Sequence, residues 1–226
     1  RLLFGNWEYD DDPFVLMEYE KIVDLFTNTH IVGGNKYMTI DVARLGKDDT
    51  TIRVWNGLTS IAKKVIPKCR IDDLTRLVRN LQREHGVPNS NTIADEDGVG
   101  GGLVDNLRCR GFVNNSTPLQ IFGETKNYQN LRSQCFFKLA EIVNNNLMFL
   151  QNEPITDRER VVKELEQIKQ IDADKDTKLK IIAKEQLKIV LGRSTDEADN
   201  LMMRMWFEIK KMEKRITSKP KVRTTS

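Results

Sequence analysis

The chain has 226 residues, 39% of them apolar and 31% charged, and a net charge of +3. That length allows one large or two small domains with a core that needs no covalent staples, and no apolar run approaches the roughly 20 residues of a bilayer span. Three isolated cysteines (Cys69, Cys109, Cys135) and two histidines (His30, His85) exclude a disulfide scaffold, a zinc finger and a His-rich metal site, and they point to a reducing cytoplasmic setting. Asp10, Asp11 and Asp12 stand where the apolar stretch of a signal peptide would lie, so no leader is expected. The charge is uneven: residues 210–226 carry +6, which leaves −3 for residues 1–209. A basic end of this kind contacts nucleic acid or an acidic partner, or is a solvated tail.

In chain order, a helix is expected near Pro13 to Phe26, and Gly33-Gly34-Asn35 then breaks the chain. Lys36 to Ala43 reads as a strand with Met38, Ile40 and Val42 on one face. Residues 44–50 form a turn, Thr51 to Trp55 a second strand, and Asn56-Gly57 a hairpin signal before a third strand, Ser60 to Ile66. Helical periodicity takes over from Ile71 to His85, closed by Gly86. A short strand over Asn91 to Asp95, a glycine-rich turn, a helix over Leu103 to Arg108 and a strand over Gly111 to Val113 follow. Long helices are expected over Asn127 to Asn145 and over Thr156 to Gln170, the latter opened by a Thr156/Glu159 capping box. After a polar turn at Asp172 to Thr177, Lys178 to Ala183 alternates like a strand and Lys184 to Val190 reads as a helix ended by Gly192. Ser194-Thr195-Asp196 caps a last helix running to about Met212. Three antiparallel strands followed by strand–helix alternation predict one α/β domain, a mixed sheet flanked by helices in the order of the ribonuclease H-like fold.

Two scattered histidines make a nucleophilic triad implausible, and neither GxSxG nor GxxxxGK[ST] occurs. Gly98-Val-Gly100-Gly-Gly102 lacks the lysine and hydroxyl of a phosphate-binding loop, so these glycines serve close backbone approach. Carboxylates remain. Asp41 lies inside an apolar strand, where an ionised group is costly unless it is paired or metal-bound. Asp95 ends the next parallel strand, where α/β sheets gather ligands. Asp196 and Asp199 share one side of the last helix. Oxygen donors without His or Cys suit Mg²⁺ or Mn²⁺, and such a cluster can hold two ions about 4 Å apart around a phosphodiester. Plainer roles stand beside this: Asp196 as a helix N-terminal charge, Asp95 as a turn residue, Asp48, Asp49, Glu96 and Asp97 as solvated turn and loop charges; Asp41 is the hardest to explain in such terms.

Three segments in order resemble the nuclease domain of tailed-phage large terminase subunits. Asp41-Val-Ala-Arg-Leu-Gly-Lys-Asp48-Asp-Thr50 is similar to a DxAxxGxDxT motif. Ile93-Ala-Asp95, followed by Gly98-Val-Gly100 and Val104-Asp105-Asn-Leu107, resembles the second motif. Gly192-Arg-Ser194-Thr-Asp196-Glu-Ala-Asp199-Asn-Leu201 is similar to GRSPDxADAL, with Thr195 in place of the usual proline and Asn200 in place of alanine. The resemblance spans about residues 37–210. It implies a ribonuclease H-like, two-metal endonuclease that cuts concatemeric phage DNA during packaging. Asp41, Asp95 and Asp199 would be catalytic metal ligands for two Mg²⁺ or Mn²⁺ ions, supported by Asp48, Asp97 and Asp196; Asp97 competes with Asp95 for the second position. Arg44, Lys47 and Lys184 are candidate DNA phosphate contacts. The implied partners are double-stranded DNA, the portal protein, the small terminase subunit and an ATPase domain preceding Arg1, in the host cytoplasm and transiently at the procapsid portal. The expected division is a leading segment 1–34, a nuclease domain 35–212 and a basic, disordered tail 213–226. Two other readings stand beside this one: an actin-like or sugar-kinase-type phosphotransfer ATPase, whose first hairpin also begins on an aspartate strand, and a non-catalytic module docking on the portal.

Overall fold

The computed structural model describes residues 14–43, 49–121, 123, 126–171 and 178–217, with the side chains of 214–217 excepted. A six-stranded sheet forms its centre. Strands β1 (Lys36–Asp41), β2 (Thr50–Asn56) and β3 (Thr59–Ile66) make an antiparallel meander. Strands β4 (Thr92–Asp95) and β5 (Arg110–Phe112) continue it in parallel beyond β1, and β6 (Phe149–Leu150) pairs in parallel with β3. The spatial order is β5-β4-β1-β2-β3-β6. The β2–β3 hairpin turns on Gly57-Leu58, with Gly57 at φ +64°, one residue beyond the Asn-Gly signal.

Strand alternation divides the core into two layers. Met38, Ile40 and Val42, with Ile52, Val54 and Ala94, face α2 (Ile71–His85) and α3 (Gly100–Leu107) through Leu74, Val78 and Leu103. The other parity, Tyr37, Trp55, Ile93 and Phe112, faces a larger layer. That layer contains α1 (Tyr19–Asp24), α4 (Leu131–Asn144), α5 (Ile155–Glu166) and α7 (Asp196–Thr217). A separate two-stranded ribbon, β7 (Gln170–Ile171) with β8 (Lys180–Ile181), precedes α6 (Lys184–Leu191).

Several boundaries differ from the sequence reading. Helix α1 starts at Tyr19, well after Pro13. Helix α3 starts at Gly100, inside the glycine run, because a Cβ there would lie 1.7 Å from the carbonyl oxygen of Asp95; only glycine lets the strand–helix turn close this tightly. Helix α4 starts at Leu131, set by Asn130, whose side chain accepts from Ser133 N. Helix α5 is led in by Pro154 without a side-chain cap, so the Thr156/Glu159 box does not form. The strand expected at Lys178 to Ala183 shrinks to β8 and joins β7 in the ribbon, outside the central sheet. Helix α7 runs to Thr217, past the expected end near Met212, and the rest of the basic tail, residues 218–226, lies outside the described residues.

Candidate active site

Strands β1 and β4 are neighbours, run parallel and both end on an aspartate. Ile40 pairs with Ala94, so Asp41 and Asp95 follow side by side at the carboxyl edge of the sheet. Alternation turns Asp41 to the same side as Tyr37 and Thr39, toward α7. Both carboxylates are buried, at 6% and 4% exposure.

Helix α7 brings the third carboxylate. Its seat on the sheet is fixed by Glu197, Asn200 and Arg204, whose spacing of three and four puts them on one helix face. Glu197 pairs with Arg53 of β2 at 2.5 Å and with Lys63 of β3. Arg53 is also held in a two-pronged pair by Glu153, at 2.7 and 3.0 Å. Asn200 donates to the Thr51 carbonyl at 2.7 Å and accepts from the Thr39 hydroxyl, which in turn accepts from Trp55 Nε1 at 2.9 Å. Arg204 reaches the Gly57 carbonyl at 2.6 Å. Glu164 of α5 receives the Ala198 amide at 2.9 Å, which satisfies a first-turn donor of α7. With that face clamped, Asp196 and Asp199 fall on the flank toward Asp41.

Asp199 is 3% exposed. Its Oδ2 accepts from the Thr195 hydroxyl at 2.8 Å and from Lys184 Nζ at 2.6 Å. Its Oδ1 is buried with no hydrogen-bond partner and faces Arg132 Nε at 3.8 Å. A cavity of about 230 Å³ opens onto this cluster, lined by Asp41, Asp95, Asp196 and Lys184 together with Asp49 and Ser194.

The electrostatics follow from crowding. Burial, then Asp199, Asp196 and Asp95, push the Asp41 carboxyl well above the usual range, against the pull of Lys184. Asp95 is pushed up to about 6, chiefly by burial, although the Asp97 amide donates to its Oδ1 at 3.0 Å. Asp199 moves the other way: burial opposes ionisation, but Lys184 and Arg132 outweigh it and hold the carboxyl low. Lys184 stays charged because Asp199 and Asp41 override its burial.

The structure thus gathers Asp41, Asp95, Asp196 and Asp199. Asp97 stands apart, its carboxylate accepting from Asn114 Nδ2 at 2.9 Å beside a neighbouring groove. Lys184, expected at a DNA phosphate, directs its ammonium to Asp199. Asp48, Arg44 and Lys47 lie outside the described residues. The sequence reading missed Arg132, Asp49, Glu185 and Ser194. Arg132 carries no local signal, being one cation in the first turn of an amphipathic helix.

As the side chains stand, no group of three or more His, Cys, Asp or Glu among the described residues is drawn together tightly enough to enclose a metal ion. The Lys184 ammonium provides positive charge among these carboxylates instead. The donor set nevertheless suits a hard cation: it is all oxygen, its like charges are crowded, and Asp199 Oδ1 is a buried acceptor without a donor.

No protein-family model and no curated protein matches the chain. Solved structures do. A mutant of the gp2 large terminase subunit fragment from bacteriophage Sf6, with calcium, superimposes at TM-score 0.72 and 18% identity, over 84% of this chain and 98% of that one. A mutant nuclease domain of the same Sf6 subunit, with manganese and beta-thujaplicinol, gives TM-score 0.71 at 18% identity over the same shares of 84% and 98%. The large terminase nuclease from the thermophilic phage G20c, with bound magnesium, gives 0.52 at 12% identity over 86% and 97%. Each is a nuclease domain or fragment of a large terminase subunit, and each structure carries a divalent cation. The mixed six-stranded sheet, antiparallel then parallel and flanked by helices, is the ribonuclease H-like fold of the phage large terminase nuclease domains.

Proposed function

We propose that this chain is a metal-dependent endodeoxyribonuclease that cuts concatemeric phage DNA during genome packaging. The observation that carries the reading is the meeting of Asp41, Asp95 and Asp199 at one buried edge, from two adjacent parallel strands and a clamped helix, within a fold shared with terminase nucleases. Asp41, Asp95 and Asp199 would hold two Mg²⁺ or Mn²⁺ ions, with Asp196 at the rim; of the two candidates for the second position, Asp95 is the one that shares a cavity with Asp41. Bound there, the ions supply Lewis acidity for attack of water on a phosphodiester and for departure of the 3′-oxygen.

The chain's own residues prepare this site. The Asp97 amide orients Asp95, and the Thr195 hydroxyl and Lys184 orient Asp199. The Lys184 ammonium offsets the repulsion among the crowded carboxylates; burial and that repulsion raise the Asp41 carboxyl. The substrate is double-stranded DNA, held through its phosphates with little base readout. The wider setting we propose is a leading segment 1–34, whose α1 packs into the core, a nuclease domain 35–212 and a basic tail 213–226, into which α7 continues as far as Thr217. An ATPase domain precedes them in the same polypeptide, and the small terminase subunit and the portal protein are partners, in the host cytoplasm and at the procapsid portal. Among the described residues no helix is long and apolar enough to cross a membrane.

Supercoiled plasmid incubated with Mn²⁺, Mg²⁺ or EDTA tests the reading. Nicked and linear products are expected with metal and none with EDTA, and Asp41→Asn should abolish them. Cleavage that persists in EDTA, or at the wild-type rate in Asp41→Asn, refutes it.

A further inference from the structure

Arg132 sits in the first turn of α4 with its side chain 7% exposed. Nη1 donates to the Ile182 carbonyl at 3.0 Å, and the guanidinium lies 4.9 Å from the centre of the Phe136 ring. Nε and Nη2 are buried with no hydrogen-bond partner. A buried guanidinium with two unfilled donors is costly, and native interiors avoid it unless a ligand completes it. Nε and Nη2 form one planar edge, the fork that matches two oxygens of a carboxylate or phosphate. Asp199 does not fill this fork: its Oδ1 is 3.8 Å from Nε, beyond hydrogen-bond reach.

Arg132 also lines a groove of about 600 Å³ that includes Lys180, Asn114 and Asn130. This groove shares Lys184 and Glu185 with the carboxylate cavity, so the two adjoin. Four amides and three cations outnumber two acids (Asp97, Glu185) and three apolar residues (Ile171, Ile181, Ala183) in this lining, a balance that suits a sugar–phosphate backbone better than a protein segment.

We propose that Arg132 is a phosphate ligand: its Nε–Nη2 fork, buried and unfilled in the free protein, receives two non-bridging oxygens of a DNA phosphate that enters this groove beside the carboxylates. The inference rests on the nuclease reading. It adds that the substrate strand runs along α4 and the β7–β8 ribbon, with Arg132 contacting the phosphate at or next to the scissile bond. A role confined to neutralising Asp199 makes the opposite prediction for metal binding, which separates the two.

The test compares wild type, Arg132→Ala and Arg132→Lys, with plasmid cleavage at saturating Mn²⁺ and DNA and Mn²⁺ binding by calorimetry. Arg132→Ala should lower kcat about 100-fold, the scale of losing a charge-stabilising donor. Arg132→Lys, which keeps charge and stem but loses the fork, should remain about tenfold slow. Added methylguanidinium should restore part of the Arg132→Ala rate. A wild-type kcat in Arg132→Ala with tighter Mn²⁺ binding would show that the residue only neutralises Asp199 and would overturn the proposal. If Arg132→Ala does not fold, Arg132→Lys decides: a wild-type kcat overturns the proposal and a reduced one supports it. If wild type itself fails to cleave in Mn²⁺, the nuclease reading falls. Affinity for a short DNA duplex in EDTA then judges Arg132 separately, with at least a tenfold loss in Arg132→Ala expected and no change counting against it.

Discussion

Asp95→Asn should make the protein more stable while making it inactive, and the stability gain should depend on pH in a defined sense. The carboxyl of Asp95 is raised from 3.8 to about 6 by burial at the end of β4. A carboxyl with a raised folded-state value binds its proton more tightly in the folded chain, so ionising it penalises folding. The penalty is absent below the unfolded value, grows between pH 3.8 and about 6 and levels off above that. At 1.36 kcal/mol per tenfold, the rise from 3.8 to about 6 amounts to about 3 kcal/mol above about pH 7. Asparagine keeps an Oδ1 acceptor for the Asp97 amide, which donates to Asp95 at 3.0 Å, so the loop after β4 should keep its anchor. The assay is urea denaturation of both proteins in EDTA, at about pH 5, 6 and 7.5. The advantage of the variant should grow from about 1.5 kcal/mol at about pH 5 to about 3 kcal/mol at about pH 7.5. A difference that does not change with pH, or a variant less stable than wild type at about pH 7.5, would refute the claim that Asp95 is held ionised against its surroundings.

The remaining expectations concern the parts that build and neutralise the site. Gly100→Ala should cost about 3 kcal/mol, the upper end of overpacking, because its Cβ would meet the Asp95 carbonyl oxygen at 1.7 Å; thermal denaturation reads it. Arg53→Met removes the shared partner of buried Glu153 and Glu197 and should cost about 3–5 kcal/mol. Adding Glu153→Gln should return part of that loss in a double-mutant cycle by urea denaturation. Lys184→Met takes away the ammonium 2.6 Å from Asp199, and Mn²⁺ binding by calorimetry should tighten at least about tenfold. In the wild type, Mn²⁺ affinity should rise as pH passes through about 6, where Asp95 gives up its proton to make way for a cation.

Five of the six strands of the central sheet, the apolar face of the first and two of the gathered carboxylates were legible in the chain itself, whereas the short strands β6 and β7 were not. Period-two alternation in Lys36–Asp41 sends Met38 and Ile40 to one layer and Asp41 to the other, so an aspartate among apolar neighbours already had to meet something polar. The parallel strand ending at Asp95 and the close-packed glycine after it were readable for the same reason: backbone geometry is set by near neighbours in sequence. What local pattern could not supply was the seat of α7. Glu197, Asn200 and Arg204 look like ordinary polar helix residues until Arg53, Thr39 and the Gly57 carbonyl, more than a hundred positions earlier in the sequence, take their charges and hydrogen bonds. The same holds for Lys184 and Arg132, which lie on separate helices and both reach toward Asp199. Periodicity reports which face of an element is apolar. It carries no information about which distant polar group will neutralise a buried charge, because that pairing forms only when the layers close and water is excluded.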